Sequence, residues 1–265
     1  MKEQILSHLS AQYPWKEHFR FYSCIGSTND QLREIARTGA PEGTVLVADR
    51  QTGGHGRRGR SFHSPEGVGI YMSILLRPHC TPSSLLHLTC AAGSAMCDAV
   101  ESAAGFRPGI KWTNDLVFGK RKLGGILTEL GFTPRGEVDY AIIGIGINCC
   151  QQEADFPEDI RTIAGSLAMA AGREINRAKV AAAMMDALHT MSQNLLSGKE
   201  QILRQYRRDC ITVNQDVVLV RGDEKRYGHA VDIDEEGALV VRFLDGSTEP
   251  VNSGEVSVRG MYGYV

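Results

Sequence analysis

A short loop concentrates glycine and arginine in a way that could do chemistry. Residues 51–60, QTGGHGRRGR, hold four glycines and three arginines. The loop follows the apolar, β-branched run 44–48, which is typical of a buried strand. Glycine lets backbone N–H groups approach a ligand closely, and clustered guanidinium groups match phosphate and carboxylate oxygens. The loop therefore predicts a binding site for an anion.

A second polar cluster occupies residues 111–115, KWTND, and is followed closely by residues 121–126, RKLGGI. Glycine inside a strand weakens it but lets a ligand lie against the backbone. Alone, an Asn-Asp pair predicts an ordinary turn, and residues 120–122 predict a solvated hairpin tip. Their combination with the glycine-arginine loop instead favours a functional site over these ordinary interpretations.

Two familiar phosphate-binding motifs compete for the same loop. Residues 54–59 satisfy G-x-G-x-x-G, and residues 54–61 nearly satisfy the P-loop pattern, with Arg60 in the position of its lysine. Both motifs require a helix directly after the loop, because the helix N-terminus holds the phosphate. Residues 61–69 predict a turn and then a strand, so the sequence disfavours both motifs. A solvated, mobile surface loop remains the alternative.

Composition limits the classes of protein. The chain has 265 residues, a formal net charge of −2 and 42% hydrophobic residues, as expected of a globular protein with a full core. A nucleic-acid-binding module using Arg57, Arg58 and Arg60 is disfavoured, because such modules carry a basic excess. The seven cysteines include no C-x-x-C pair, which favours reduced thiols. No signal peptide or membrane-spanning run is found, so we expect a cytoplasmic protein that does not bind membranes.

The order of predicted elements favours an α+β fold with a mixed, partly antiparallel sheet. Strands are predicted at residues 44–48, 68–76, 110–118, 123–130 and 138–147. Helices are predicted at residues 28–39, with Thr28 and Gln31 as a capping box, and at 81–103, 162–171, 177–196 and 199–209.

The hydrophobic pattern of the sequence changes after Cys210. Five short alternating runs, at residues 217–221, 225–232, 238–243, 248–251 and 256–259, are separated by glycine-containing or acidic turns. About five strands in so short a stretch predict a small β-barrel. We therefore predict two domains, residues 1–212 and residues 213–265.

Taken together, the motifs resemble those of the biotin protein ligases, which activate biotin as an adenylate and attach it to a lysine of a carrier protein. The matching segments, in order, are residues 27–29 (STN), 51–60, 111–115, 121–126, 144–148 (GIGIN) and 253–259 (SGEVSVR). They extend from about residue 22 to the C-terminus. The resemblance implies a class II synthetase-like catalytic domain followed by an SH3-like barrel.

The resemblance also implies roles for individual residues. Biotin would contact Ser27, Thr28, Asn29, Gln51, His55, Gly56, Arg57, Lys122, Gly124 and Gly125. ATP or the adenylate would contact Arg57, Arg58, Phe62, Trp112, Asn148 and Arg259. The catalytic groups would be Lys111, Arg57 and Asp115. Biotin and ATP would be the substrates, and Mg²⁺ would assist, although the sequence identifies no protein ligand for the metal.

The implied partner is a biotin carboxyl carrier protein of acetyl-CoA carboxylase, or another carboxylase carrier domain, and the resemblance leaves a homodimer open. His55 stands where the pattern usually has arginine, and Phe62 where tryptophan is common. About twenty residues precede the ligase core, so we expect the monofunctional type, without a helix-turn-helix domain and without nucleic-acid binding. The alternatives are a lipoate or octanoate ligase and a non-catalytic biotin sensor; Lys111 and Asp115 argue against the sensor.

Overall fold

The computed structural model describes residues 1–252 and the backbone of residues 257–260. Its larger sheet has seven strands in the order β1-β2-β3-β7-β6-β5-β4. The strands are β1 (Phe19–Tyr22), β2 (Val45–Ala48), β3 (Gly69–Leu76), β4 (Gly109–Lys111), β5 (Asp115–Phe118), β6 (Arg121–Phe132) and β7 (Val138–Asn148). Strands β1 and β2 pair in parallel, and the other neighbours pair antiparallel. The predicted mixed α+β fold is confirmed.

Helices cover both faces of this sheet. They are α1 (Lys2–His8), α2 (Thr28–Arg37), α3 (Leu88–Ala104), α4 (Leu167–Ala171), α5 (Arg177–Asn194) and α6 (Lys199–Asp209). Alternate strand residues point to opposite faces. Leu46, Leu75 and Ile142 pack with Leu32 of α2, whereas their neighbours Ile74 and Ile143 belong to the larger core that contains α3 and α5. The α2 face is the one that carries the polar cavity described below.

Helix α2 begins one residue earlier than the predicted capping box requires. Ser27 is the N-cap, and its hydroxyl accepts a hydrogen bond from the backbone N–H of Asp30 at 3.4 Å. The Thr28 side chain is instead within hydrogen-bonding distance of Gln51, on another segment of the chain. The prediction of a Thr28–Gln31 box was therefore wrong, because a long-range partner engages Thr28.

Three predicted elements differ from the observed ones. Residues 110–118 form a hairpin of β4 and β5 rather than one strand, since Tyr206 and Thr212 bond the backbone between them. Residues 81–103 begin with a 3₁₀ turn, where the Thr81 hydroxyl bonds nearby serine hydroxyls, and α3 starts only at Leu88. Residues 162–171 contain only the short α4, because residues 163–165 pair with the backbone of Lys122.

The C-terminal region forms a second sheet, with five antiparallel strands in the order β11-β10-β9-β8-β12. They are β8 (Asp216–Arg221), β9 (Glu224–Ile233), β10 (Leu239–Phe243), β11 (Thr248–Val251) and β12 (Ser257–Gly260), in agreement with the five predicted runs. Apolar side chains of this sheet belong to the same buried cluster as the main core. The division of the chain at residue 213 stays a prediction.

The described residues include no helix that is both long and apolar enough to cross a lipid bilayer.

Gly124 gives a test of the close packing between β6 and β7. A Cβ atom at this position would lie 2.6 Å from the carbonyl oxygen of Gly146, closer than atoms can approach without movement of the backbone. We expect Gly124→Ala to lower the free energy of unfolding by about 1–3 kcal/mol, measured by urea titration. Gly26→Ala is the matched control, because no heavy atom lies within 4 Å of its Cβ position. Equal midpoints for the two variants would contradict this packing argument.

Candidate active site

A cavity of about 600 Å³ opens on the α2 face of the seven-stranded sheet. Most of the residues predicted from the sequence line it: Ser27, Thr28, Asn29, Gln51, His55, Gly56, Arg57, Arg58, Phe62, Lys111, Trp112, Asp115, Lys122, Gly125 and Asn148. These residues come from segments that are far apart in the sequence. The fold therefore brings the predicted motifs together around one space, of a size typical for small-molecule sites.

Two glycines at alternate positions of β7 leave space for this cavity on one face of the sheet. Gly144 and Gly146 follow Ile142 on the same face of the strand. The Asn29 amide lies where a side chain at Gly144 would be, since a Cβ there would be 2.0 Å from Asn29 Oδ1. The Phe62 ring occupies the corresponding place over Gly146, at 2.5 Å from a Cβ position. Any larger residue at either position would displace a cavity wall.

Uncharged polar side chains line one end of the cavity and contact one another. Gln51 Oε1 accepts a hydrogen bond from the Thr28 N–H (2.8 Å) and lies 3.0 Å from Thr28 Oγ1. Ser73 Oγ lies 2.7 Å from Thr28 Oγ1 and 2.6 Å from Asn29 Oδ1. Thr28, Asn29 and Ser73 are all buried. This end can offer oriented hydrogen bonds to a neutral polar group, because water does not compete strongly there.

Cationic side chains lie in another part of the cavity. Lys122 Nζ forms an ion pair with Asp115 Oδ1 at 2.6 Å. A Cβ at Gly125 would lie 3.3 Å from that same Nζ atom, so glycine keeps the space beside the ammonium group open. Lys111 is only 8% exposed at the end of β4, an unusual degree of burial for lysine. These groups provide fixed positive charge for a bound anion.

The glycine-arginine loop is connected to the sheet through Asn114. Arg57 NH1 donates to Asn114 Oδ1 at 3.0 Å, and Asn114 Nδ2 donates to the Ile126 carbonyl at 2.9 Å. Burial lowers the pKa of Arg57 below the usual value for a guanidinium group, and the charges of Arg58 and Arg60 act in the same direction. A negatively charged ligand would relieve this repulsion between the arginines.

The turn between β4 and β5 is anchored by α6 and by the C-terminal region. The Trp112 N–H donates to Thr212 Oγ1 at 2.9 Å, and its indole Nε1 donates to the Gly237 carbonyl at 3.0 Å. Tyr206 Oη donates to the Thr113 carbonyl at 3.0 Å. The positions of Lys111 and Asp115, on either side of this turn, therefore depend on these contacts. A contact between Trp112 and adenine stays a prediction.

Asn148, at the end of β7, has both ends of its amide engaged. Its Nδ2 donates to the Gly165 carbonyl at 3.0 Å, and its Oδ1 accepts from Gln151 Nε2 at 3.4 Å. Near it, Phe156, Ile160 and Ile163 contribute an apolar wall that the sequence analysis did not identify. A direct role of Asn148 toward a nucleotide stays a prediction.

Among the predicted site residues whose side chains the structure describes, Gly124 is the one that does not line the cavity. It pairs with Ile147, and its Cα packs against the β7 backbone. Its glycine is explained by strand packing rather than by contact with a ligand. The side chain of Arg259 and residues 253–256 of the tail motif lie outside the described residues.

The sequence analysis also missed two polar contributors, Ser73 and Asn114. Asn114 was noted only as part of a polar run, although its position beside Asp115 was a usable signal. Ser73 is the one polar residue in the apolar run 69–76, and this exception could have indicated a buried hydrogen bond, which it forms with Thr28 and Asn29 of the cavity. Within the described part of the chain, no group of three or more His, Cys, Asp or Glu side chains could hold a metal ion.

Comparison with known proteins matches this arrangement. The model of the Biotin/lipoate A/B protein ligase family matches residues 21–148, and the model of the Biotin protein ligase C terminal domain matches residues 212–259. The bifunctional ligase/repressor BirA of Bacillus spizizenii is 38% identical over 242 residues, covering 87% of this chain and 71% of that protein.

Two further relatives match this chain over most of its length, one in sequence and one also in structure. The biotin–[acetyl-CoA-carboxylase] ligase of Mycobacterium tuberculosis is 31% identical over 237 residues, and the match covers 87% of this chain and 85% of that protein. The structure of the Aquifex aeolicus biotin protein ligase in complex with biotin and ATP has a TM-score of 0.77 at 30% identity, covering 91% of this chain and 98% of that one. Together with the cavity described above, these matches establish that the chain belongs to the biotin protein ligase family.

Proposed function

We propose that this chain is an ATP-dependent ligase that joins biotin to a lysine of a biotin carboxyl carrier protein. In the first half-reaction, a biotin carboxylate oxygen attacks the α-phosphorus of ATP, and pyrophosphate leaves as the α–β P–O bond breaks. In the second, the carrier amine attacks the carbonyl carbon of biotinyl-5′-AMP. An amide forms, the C–O bond to AMP breaks, and AMP leaves with its electron pair.

One observation carries this proposal: a single cavity joins a neutral polar end to a cationic part. Biotin has a ureido group, an apolar ring and a carboxylate on a flexible chain. Thr28, Asn29 and Gln51 suit the ureido group, and Lys122 suits the carboxylate. The relative named biotin–[acetyl-CoA-carboxylase] ligase supports the same assignment over most of its length.

Adenylate formation brings an anion to a polyanion, so its main demand is positive charge held in position. We assign Lys122 to the biotin carboxylate and Lys111 to the α-phosphate. The Arg57 loop, which includes His55, Gly56 and Arg58, would close over the adenylate. Phe62, Trp112, Asn148 and Arg259 are assigned to the nucleotide side. No protein nucleophile is needed for this chemistry, because the substrate carboxylate is itself the nucleophile.

Transfer to the carrier requires an amine that is oriented and loses a proton. Asp115 is the one carboxylate among the described residues lining the cavity, and Lys122 holds it in place at 2.6 Å. We assign it to the carrier lysine, whose amine it would orient and whose proton it would accept. Mg²⁺ would enter with the phosphates of ATP, since this ion commonly keeps its waters and binds through substrate phosphates.

The polar end argues against the main alternative, a lipoate or octanoate ligase. The dithiolane ring and the alkyl chain carry no conventional hydrogen-bonding group. If lipoate or octanoate were bound, Thr28, Asn29 and Gln51 would have no hydrogen-bond partner on the ligand. Buried polar groups without a ligand partner lower affinity strongly, so the site should discriminate against both acids.

The direct test is biotin-dependent exchange of labelled pyrophosphate into ATP, run beside lipoate and octanoate. We expect biotin to exceed both acids in kcat/KM by at least about a hundredfold, because the polar end rejects ligands that lack its partners. Exchange with lipoate and none with biotin would overturn the assignment.

The Lys122–Asp115 pair gives a second prediction. Lys122→Ala leaves the Asp115 carboxylate facing the biotin carboxylate, so we expect the KM for biotin to rise by roughly a hundredfold. The double variant Lys122→Ala/Asp115→Asn removes this repulsion. Its KM should recover at least in part, while transfer to a carrier lysine stays slow.

Pyrophosphate exchange measures the first effect, and labelling of a purified carrier domain measures the second. Lys120→Ala is the matched control, because this lysine is exposed at the tip of the same hairpin. An unchanged KM in Lys122→Ala would assign Lys122 to the surface rather than to the ligand.

Arg57 gives a third prediction. Closing a glycine-rich loop costs backbone entropy, which contacts to the ligand must offset. Without the Arg57 guanidinium, we expect Arg57→Gly still to form biotinyl-5′-AMP but to release it roughly ten to a hundred times faster. The measurement is the dissociation rate of the purified adenylate complex, with Arg50→Ala, an exposed arginine just before the loop, as control. Retention equal to that of the unaltered protein would contradict the role given to this loop.

A further inference from the structure

The apolar wall of the cavity lies in a segment without regular secondary structure. Residues 156–163 form bends and turns rather than a helix or a strand. The segment is paired with the sheet at its end, where the Lys122 N–H donates to the Ile163 carbonyl at 2.7 Å and the Gly165 N–H to the Lys122 carbonyl at 2.8 Å. Turns satisfy only part of their backbone hydrogen-bonding capacity, so the other carbonyl groups need donors from side chains or water.

Arg121, at the start of β6, donates to two of these carbonyl groups. Its NH1 bonds the carbonyls of Arg161 and Ala164, each at 3.0 Å, and its NH2 forms an ion pair with Glu153 at 3.1 Å. Its stem also packs on the segment, since a Cβ atom at Gly165 would lie 2.9 Å from Arg121 Cβ. A partly exposed ion pair contributes little, so the two carbonyl contacts are the main attachment.

Arg161 makes a second attachment within the wall itself. Its Nε and NH2 both donate to the Phe156 carbonyl, at 3.2 and 3.1 Å. The Phe156 side chain is buried and lines the cavity. Neither Arg121 nor Arg161 is among the described residues that line the cavity. Both arginines therefore bond the wall from outside the cavity.

The wall adjoins the part of the cavity that is assigned to the nucleotide. Asn148 Nδ2 donates to the carbonyl of Gly165, and the preceding residue, Ala164, lines the cavity. The ureido group and the phosphates are assigned to the polar end and the cationic part. The flat, largely apolar face of the nucleotide base is the group that this wall can cover, because burying such a face excludes water from it.

We propose that Arg121 and Arg161 are positioning residues that hold the apolar wall against the base of the nucleotide. Both act through the wall rather than on a reacting atom. A guanidinium group suits this task because it stays charged and has several N–H donors in one plane, which can serve more than one acceptor. This inference rests on the proposed function and adds to it two residues on which ATP binding depends without direct contact.

Methionine variants test this role, because methionine keeps an apolar stem but has no N–H donor. We expect Arg121→Met and Arg161→Met each to raise the KM for ATP in biotin-dependent pyrophosphate exchange by roughly ten- to a hundredfold. The kcat should change less than about threefold, because the wall contacts the base equally in the ground state and the transition state. The dissociation constant for biotin alone, measured by calorimetry, should stay nearly unchanged.

The KM for pyrophosphate separates this role from direct binding of the phosphates by either arginine. Pyrophosphate has no base, so its KM should stay nearly constant in both variants. An equal rise in the KM values for ATP and for pyrophosphate would assign the arginines to the phosphates and overturn the proposal. Arg135→Met, at an exposed position between β6 and β7, is the matched control.

The inference and the proposed function fail separately. An unchanged KM for ATP in either folded variant would overturn the role of that arginine, while biotin-dependent exchange by the unaltered protein continued to support the ligase. Thermal unfolding midpoints of the three variants identify any loss of fold, and if one arginine variant does not fold, the other decides. Absence of biotin-dependent exchange in the unaltered protein would remove the proposed function itself, and this inference with it.

Discussion

The site depends on the absence of two side chains from one face of β7. In a sheet covered by helices on both faces, every inward position normally carries a side chain that fills the space between layers. Here Ile142 packs against α2, but Gly144 and Gly146 leave room on the same face. The Asn29 amide and the Phe62 ring occupy part of that room, and the remaining space is the cavity. The polar end, the loop and the cationic part are all arranged around these two positions.

Partial burial of this cavity also determines how strongly the charges that line it interact. The chain carries a formal net charge of −2, yet the described lining includes several cations and one carboxylate. Charges interact more strongly in a partly desolvated cavity than at the surface. The local excess of positive charge therefore favours binding of a polyanion, although the protein as a whole is not basic. Burial lowers the pKa of Arg57, and the charges of Arg58 and Arg60 act in the same direction. The loop therefore combines a flexible backbone with a charge arrangement that a phosphate ligand would stabilise.

The hydrophobic pattern, which is a local property of the sequence, predicted most of the strands, including the five at the C-terminus. The resemblance of the motifs to those of the biotin protein ligases identified most of the residues that line the cavity. They failed where a distant partner decides the local structure. The run 110–118 has the composition of one strand, but Tyr206 and Thr212 hold a turn within it. The family resemblance implied that both Gly124 and Gly125 contact biotin. In the structure Gly125 lies beside Lys122 Nζ, whereas Gly124 packs against the β7 backbone, a difference that only the register with β7 reveals. Ser73 lies inside an apolar run, and the sequence could not show that its hydrogen-bond partners, Thr28 and Asn29, come from α2.

The turn between Lys111 and Asp115, the residues proposed to be catalytic, is bonded to the C-terminal region. Two of its hydrogen bonds go to Thr212 and to the Gly237 carbonyl, on either side of the predicted division at residue 213. Gly237 lies between β9 and β10, so the second sheet fixes the indole of Trp112 from outside the cavity. A displacement of about an ångström at a reacting group lowers the reaction rate strongly, because the reacting atoms must be held close together and aligned. Through the Trp112 indole, the C-terminal sheet therefore contacts the turn between Lys111 and Asp115, so its influence on the proposed chemistry would extend beyond the predicted contact of Arg259 with the nucleotide.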